Sequence, residues 1–192
     1  MAGAAFVAWV AASLIVLADA RRGLALGLGL LSISLAVLTW PAGMVIGSGA
    51  IVVGGLIAAV QCWRSGPAGW GIMPAGSTPR LILCVASALL AFWLAASVTT
   101  GPDASLRFAA LVVPALMGAR ILMSRDVTVA LAGIAAMAMA LGTASGLDAE
   151  SAGPIPAIVA GLIAAGVMFV PAVPISPSTA APPARSAKQD GA

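Results

Sequence analysis

Histidine is absent from all 192 residues. With it goes the commonest metal ligand, a usual haem ligand and the usual proton shuttle near neutral pH. Haem b and His-containing zinc or copper centres are therefore not expected, and no cofactor or metal site is assigned. Lysine occurs once, as Lys188 close to the C-terminal end, so no apolar segment carries the lysine that a retinal Schiff base requires. There are two cysteines, Cys62 and Cys84, too few for a secreted disulfide framework. Because cytosolic thiols are normally kept reduced, they read as small apolar core residues rather than as a redox pair. Charge is the scarcest property: 8% of the residues are charged, against about 25% in soluble domains. No Asp, Glu, Lys or Arg lies near the middle of any apolar segment, which argues against a pump coupled through a buried carboxylate. Asp19, Arg107, Arg120 and Arg125 fall toward segment ends, where long side chains can snorkel to the interface. Intramembrane serine proteases need a Ser with a His or Lys base, and aspartyl types need two membrane-level carboxylates. Neither set is present, so an enzyme is not expected.

What remains is apolar. The chain is 61% hydrophobic with a mean hydropathy of +1.12, and too few polar side chains are left to clothe a water-facing surface. A helix needs about 20 apolar residues to cross about 30 Å of hydrocarbon. Seven stretches approach or meet that length: 2–18, 23–40, 43–63, 81–99, 107–123, 127–145 and 156–173. The expected fold is an all-α, polytopic bundle of about seven transmembrane helices over residues 1–173. The second and third helices are separated by Pro41 and Ala42 alone, which demands a tight turn with Trp40 as an interfacial anchor. Pro114 should kink the fifth helix or interrupt its hydrogen-bond ladder.

The nine basic residues are not scattered. Arg21 and Arg22 follow the first stretch, Arg64 and Arg80 flank the loop after the third, Arg120 and Arg125 end the fifth, and Arg185 and Lys188 lie in the tail. Arg107 alone falls in an alternate gap, with Asp103, while Asp148 and Glu150 occupy another. Lys and Arg are enriched in cytoplasmic loops, so the pattern predicts an outside N-terminus and a cytoplasmic C-terminus. The same dispersal leaves no basic stripe to track phosphates, and nucleic acid is not an expected partner. Preference for Arg over Lys, with abundant Ala and Gly, suggests a GC-rich bacterial genome and the bacterial cytoplasmic (inner) membrane.

Three segments need separate treatment. The 64–80 loop holds Pro67, Pro74 and Pro79 with several glycines, cannot continue a helix and reads as an interfacial loop. Residues 174–192, rich in Pro, Ser and Ala, cannot bury enough surface to offset chain entropy and are expected to form a disordered cytoplasmic tail. Ala18-Asp19-Ala20 looks like a signal-peptidase site. The residues before the first run lack Lys and Arg, and cleavage would strand Arg21 and Arg22 outside, so a retained first helix is expected.

Two constellations stand out within the spans. Gly43, Gly47, Ala50, Gly54 and Ala58 line one face of the third helix, a small-residue stripe that allows close helix approach in lipid. It serves either packing within the chain or a face for a homo-oligomer or membrane-protein partner. Gly23 with Gly27, and Gly142 with Gly146, repeat the spacing. Ser32 and Ser48 could face each other across the second and third helices, making them the candidate polar cavity.

Past the first helix the chain divides into three hairpins of similar length, over 22–64, 80–125 and 126–171. In the first, a Gly/Leu/Ile-rich helix ends at Trp40-Pro41, and a second helix with Gly54-Gly55 ends near Arg64. This hairpin resembles the repeat of HdeD-like bacterial inner-membrane proteins. Pro41 has no counterpart in the second hairpin, and the extra first helix departs from that family's six spans. The resemblance implies a non-enzymatic membrane protein linked to stress or acid resistance. Together these features point to a structural, assembly or stress-associated membrane component acting by helix packing in the lipid bilayer. The alternative is a small transporter or channel-like facilitator for an uncharged or apolar solute.

Overall fold

The computed structural model describes residues 1–42, 44–65, 68–69, 78–98, 103–124, 126–145 and 153–170. Gly43, Arg125, Gly146, Asp148, Glu150, most of the 64–80 loop and the whole tail lie outside the described residues. Among the described residues the chain is all-helical. Seven α-helices follow in order: α1 (Ala2–Leu17), α2 (Arg21–Thr39), α3 (Val45–Ser65), α4 (Thr78–Val98), α5 (Ala104–Met123), α6 (Val127–Ala144) and α7 (Ile155–Val167). Four of them, α2, α3, α5 and α6, are long and apolar enough to cross a membrane. Helices α1 and α7 are apolar but shorter, with 16 and 13 residues, which at 1.5 Å per residue rise about 24 and 20 Å.

Helix ends follow local chemistry. Trp40–Ala42 form a single 3-10 turn between α2 and α3, as expected where Pro41 cannot continue the α-helical ladder. Asp103 precedes α5 with φ 64°, a left-handed conformation that Asp adopts more readily than most residues. Asp126 caps α6 by accepting the Thr128 N–H at 2.8 Å, satisfying one orphan donor of the first turn. Pro79 and Pro156 sit in the first turns of α4 and α7, where a missing N–H costs nothing. Pro114 is different, since it lies inside α5, which nonetheless runs as one helix from Ala104 to Met123.

The helices pack as two layers of three. Helix α2 lies between α1 and α3 in one layer, and α6 lies between α5 and α7 in the other. Across the layers α1 meets α5, α2 meets α6 and α3 meets α7. Helix α4 sits at one edge against α5 and α1. Adjacent helices within a layer run antiparallel, whereas the facing pair α3 and α7 is parallel: Gly47 lies beside Ala157, and Gly54 beside Gly161. The three-hairpin reading of the sequence captures the α2–α3 and α6–α7 contacts and the lighter α4–α5 contact, but the packing is organised by layers, with α1 filling a place in one of them. Ala8, Ala11, Ala12 and Ile15 of α1 are fully buried.

The side chains sort as lipid would dictate. Leu24, Leu28, Leu31 and Leu35 of α2 are fully buried, while Leu26, Leu30, Ile33 and Val37 on its other face are exposed. Both faces are apolar, so the helices have no polar side to turn toward water, the pattern of a bundle whose surroundings are also apolar.

Candidate functional site

The small-residue stripe on α3 meets α7. A Cβ on Gly47 would lie 2.9 Å from the Ala157 Cβ, and one on Gly54 would overlap the backbone of Gly161. Gly161 in turn abuts the backbone carbonyl of Ala50. From the other layer, a Cβ on Gly142 of α6 would overlap Ala160 and come within 3.3 Å of the Pro156 carbonyl oxygen. Helix α7 is thus wedged between α3 and α6, with glycine facing alanine or glycine at these contacts. Ala58 is fully buried, and Gly43 lies outside the described residues. Gly55, one step around α3 from the stripe, faces Ser32 of α2 and Met139 of α6. Gly27 does the same service for α1 and α2, with Ile15 and the Ala11 carbonyl against it.

Ser32 and Ser48 are both buried, but the structure does not pair them. Ser32 Oγ donates to the Gly29 carbonyl at 2.9 Å and rests against Gly55. Ser48 Oγ instead meets Thr39 Oγ1 at 2.8 Å and donates to the Met44 carbonyl at 2.8 Å. The partner of Ser48 is thus the last residue of α2, because the tight turn places position 48 opposite position 39 rather than 32. Thr39 Oγ1 also lies 3.1 Å from the carbonyls of Leu35 and Ala36. Hydroxyls that return to their own helix carbonyls neither need water nor offer a free polar surface. Ser34 and Thr143 behave in the same way.

The polar feature that sequence reading placed differently is Arg120. Instead of snorkelling, its side chain is 1% exposed. Nη2 donates to the Ala18 carbonyl at 2.9 Å and forms an ion pair with the Asp19 carboxylate. Ala18 is the C-cap of α1, so a cation from α5 is set against the negative end of another helix's dipole. The guanidinium Nε and Nη1 have no hydrogen-bond partner among the described residues. A periodicity signal for this burial exists: Val113, Leu116 and Met117, at i−7, i−4 and i−3 from Arg120, are all buried. Arg120 continues the inward stripe of α5.

Among the described residues no group of three or more His, Cys, Asp or Glu side chains gathers that could hold a metal ion. Cys62 and Cys84 are free thiols, both buried. Arg120 is paired beside the end of α1, and Arg21 and Arg22 open α2, while Arg64 closes α3. These four therefore share one end of the bundle. Arg107 in the first turn of α5 marks the other. No protein-family model, curated protein or solved structure matches the chain.

Proposed function

We propose that the chain is a non-enzymatic, seven-span protein of the bacterial inner membrane that acts as a structural or assembly component through helix packing. Its N-terminus faces outward, its C-terminal tail lies in the cytoplasm, and it meets a membrane-protein partner or a second copy of itself within the bilayer. The observation that carries this reading is the seat of α7 between α3 and α6, closed by Gly54 and Gly161 against backbone and by Gly47 and Gly142 against alanine Cβ atoms. Space that a solute would need is taken up there by helix backbone, and the buried hydroxyls of Ser32, Thr39, Ser48 and Thr143 are occupied internally. The stress-linked role implied by the HdeD-like resemblance belongs to the same reading.

The competing reading is a facilitator for an uncharged or apolar solute, and Pro114 is the observation on its side. Proline removes the N–H that would bond the carbonyl four residues earlier, which gives α5 a point at which to bend. Purified protein reconstituted into liposomes separates the two. The structural reading expects glycerol and other small neutral solutes to enter no faster than into empty liposomes, and mild-detergent purification to retain a partner or an oligomer. Saturable solute entry, with a monomeric chain free of partners, would replace it with the facilitator.

A further inference from the structure

Two apolar grooves lie on the lipid-facing seam between α2 and α3. One, of about 380 Å³, is near the turn that joins the helices and is lined by Met1, Ile33, Val37, Trp40 and Val52 among others, with no arginine. The other, of about 260 Å³, is at the opposite end of the seam. Its walls include Leu26, Leu56 and Val60, and its mouth is formed by Trp63 and Arg64. The Arg22 guanidinium carbon lies 6.0 Å from the centroid of the Trp63 ring, so a second cation stands at the same mouth. Leu26, Leu56, Val60, Trp63 and Arg64 are all exposed. The two grooves share walls of the same apolar character and differ in that arginines stand at the mouth of the second.

We propose that the groove at the arginine end binds an anionic phospholipid. Its acyl chain lies along Leu26, Leu56 and Val60, and its phosphate is held by Arg64 and Arg22. Three features fit this occupant together. An apolar channel opening sideways to the bilayer suits a hydrocarbon chain. Arginine offers a planar fork of donors that matches phosphate oxygens, and basic sites between transmembrane helices are where anionic headgroups lodge. Trp63 stands where an indole is favoured, at the depth of the headgroup and glycerol. The groove at the other end supplies hydrocarbon contact without an arginine fork and should discriminate less between headgroups. The proposal rests on the helices spanning a membrane, but not on which end faces the cytoplasm.

The test uses the full chain purified in detergent and presented with equimolar phosphatidylglycerol and phosphatidylcholine, with lipid retention read by native mass spectrometry. Phosphatidylglycerol should be retained preferentially. R64Q and R22Q should each lower that retention about fivefold, the effect of one cation near an anionic headgroup. V60W, which fills the groove and leaves both arginines, should lower it comparably, whereas V37W in the groove without arginine should not. Since Arg64, Val60 and Val37 are exposed, these changes spare the core, and circular dichroism checks that the helices persist. Equal retention of the two lipids, no loss with R64Q, or displacement by inorganic phosphate alone would overturn the proposal. Carbonate extraction of cell membranes reports separately on the membrane-spanning reading, so the two failures are distinguishable.

Discussion

Arg120 is held where water does not reach it, and the energetics of that position are asymmetric. Taking a guanidinium out of water costs several kcal/mol, offset only if its partners stay in place. Among the described residues the partners are one carboxylate, 32% exposed, and one helix-terminal carbonyl. Removing Asp19 leaves a buried cation with the Ala18 carbonyl as its one partner among the described residues. D19A should therefore cost about 3 kcal/mol, toward the lower end for a broken buried pair because Asp19 keeps some water. Replacing both groups should cost much less: R120M combined with D19A leaves an apolar side chain of similar length on an already apolar stripe. Unfolding midpoints of the purified protein in detergent, titrated with SDS, would rank the single variant below the double one. If D19A matched the parent, the pair would be incidental to stability. The Thr39–Ser48 contact belongs to a weaker class, since hydrogen bonds between membrane helices average about 0.6 kcal/mol.

Within single helices, glycine positions divide by what stands opposite them. Gly54 and Gly142 have backbone or Cβ atoms where a side chain would go, whereas Gly29 and Gly49 have nothing within 4 Å. G54A should push α3 away from α7 and cost about 1–3 kcal/mol, the usual range for overpacking. G49A on the same helix should be neutral, or stabilising by up to about 1 kcal/mol, because alanine restricts the unfolded backbone more than glycine. Thermal aggregation of the purified variants would show the difference, and equal behaviour of the two would remove the packing role from the stripe. Helix positions were legible in the sequence because runs such as 43–63 and 127–145 are long, apolar and bounded by Arg or Pro; observed ends differ from those runs by a few residues. Hairpin partners such as α2 with α3 were legible from short connections, but the partner of each helix across the layers was not. A small-residue stripe states that some backbone approaches closely, but Gly54 does not encode that the backbone belongs to Gly161. The same limit explains Ser48, whose partner depends on the geometry of the 40–42 turn. Arg120 is hard to read for another reason: its place near a helix end suits snorkelling, while its spacing from Val113, Leu116 and Met117 completes a buried stripe.

The distribution of charge over the two ends of the bundle connects packing to orientation. Arg21, Arg22, Arg64 and Arg120 gather at one end, and Arg107 with Asp103 marks the other. An arginine on the translocated side must be carried across the bilayer during insertion, and the orientation proposed above therefore puts the end richer in Arg in the cytoplasm. Arg120 adds to this as a structural cation, because its pairing with Asp19 ties α5 to the end of α1 and holds two helices in parallel register at that face. Introduced cysteines would read the orientation directly, with Cys62 and Cys84 replaced by alanine. A cysteine at position 105, in the first turn of α5, should react with a membrane-impermeant maleimide in intact cells. One at position 68, just beyond Arg64, should react only after permeabilisation. Reversed labelling would place the arginine-rich end outside, and the charge asymmetry would then need a cause other than insertion. Reversal would leave the lipid groove intact, because anionic headgroups bind Arg64 and Arg22 from whichever leaflet they border.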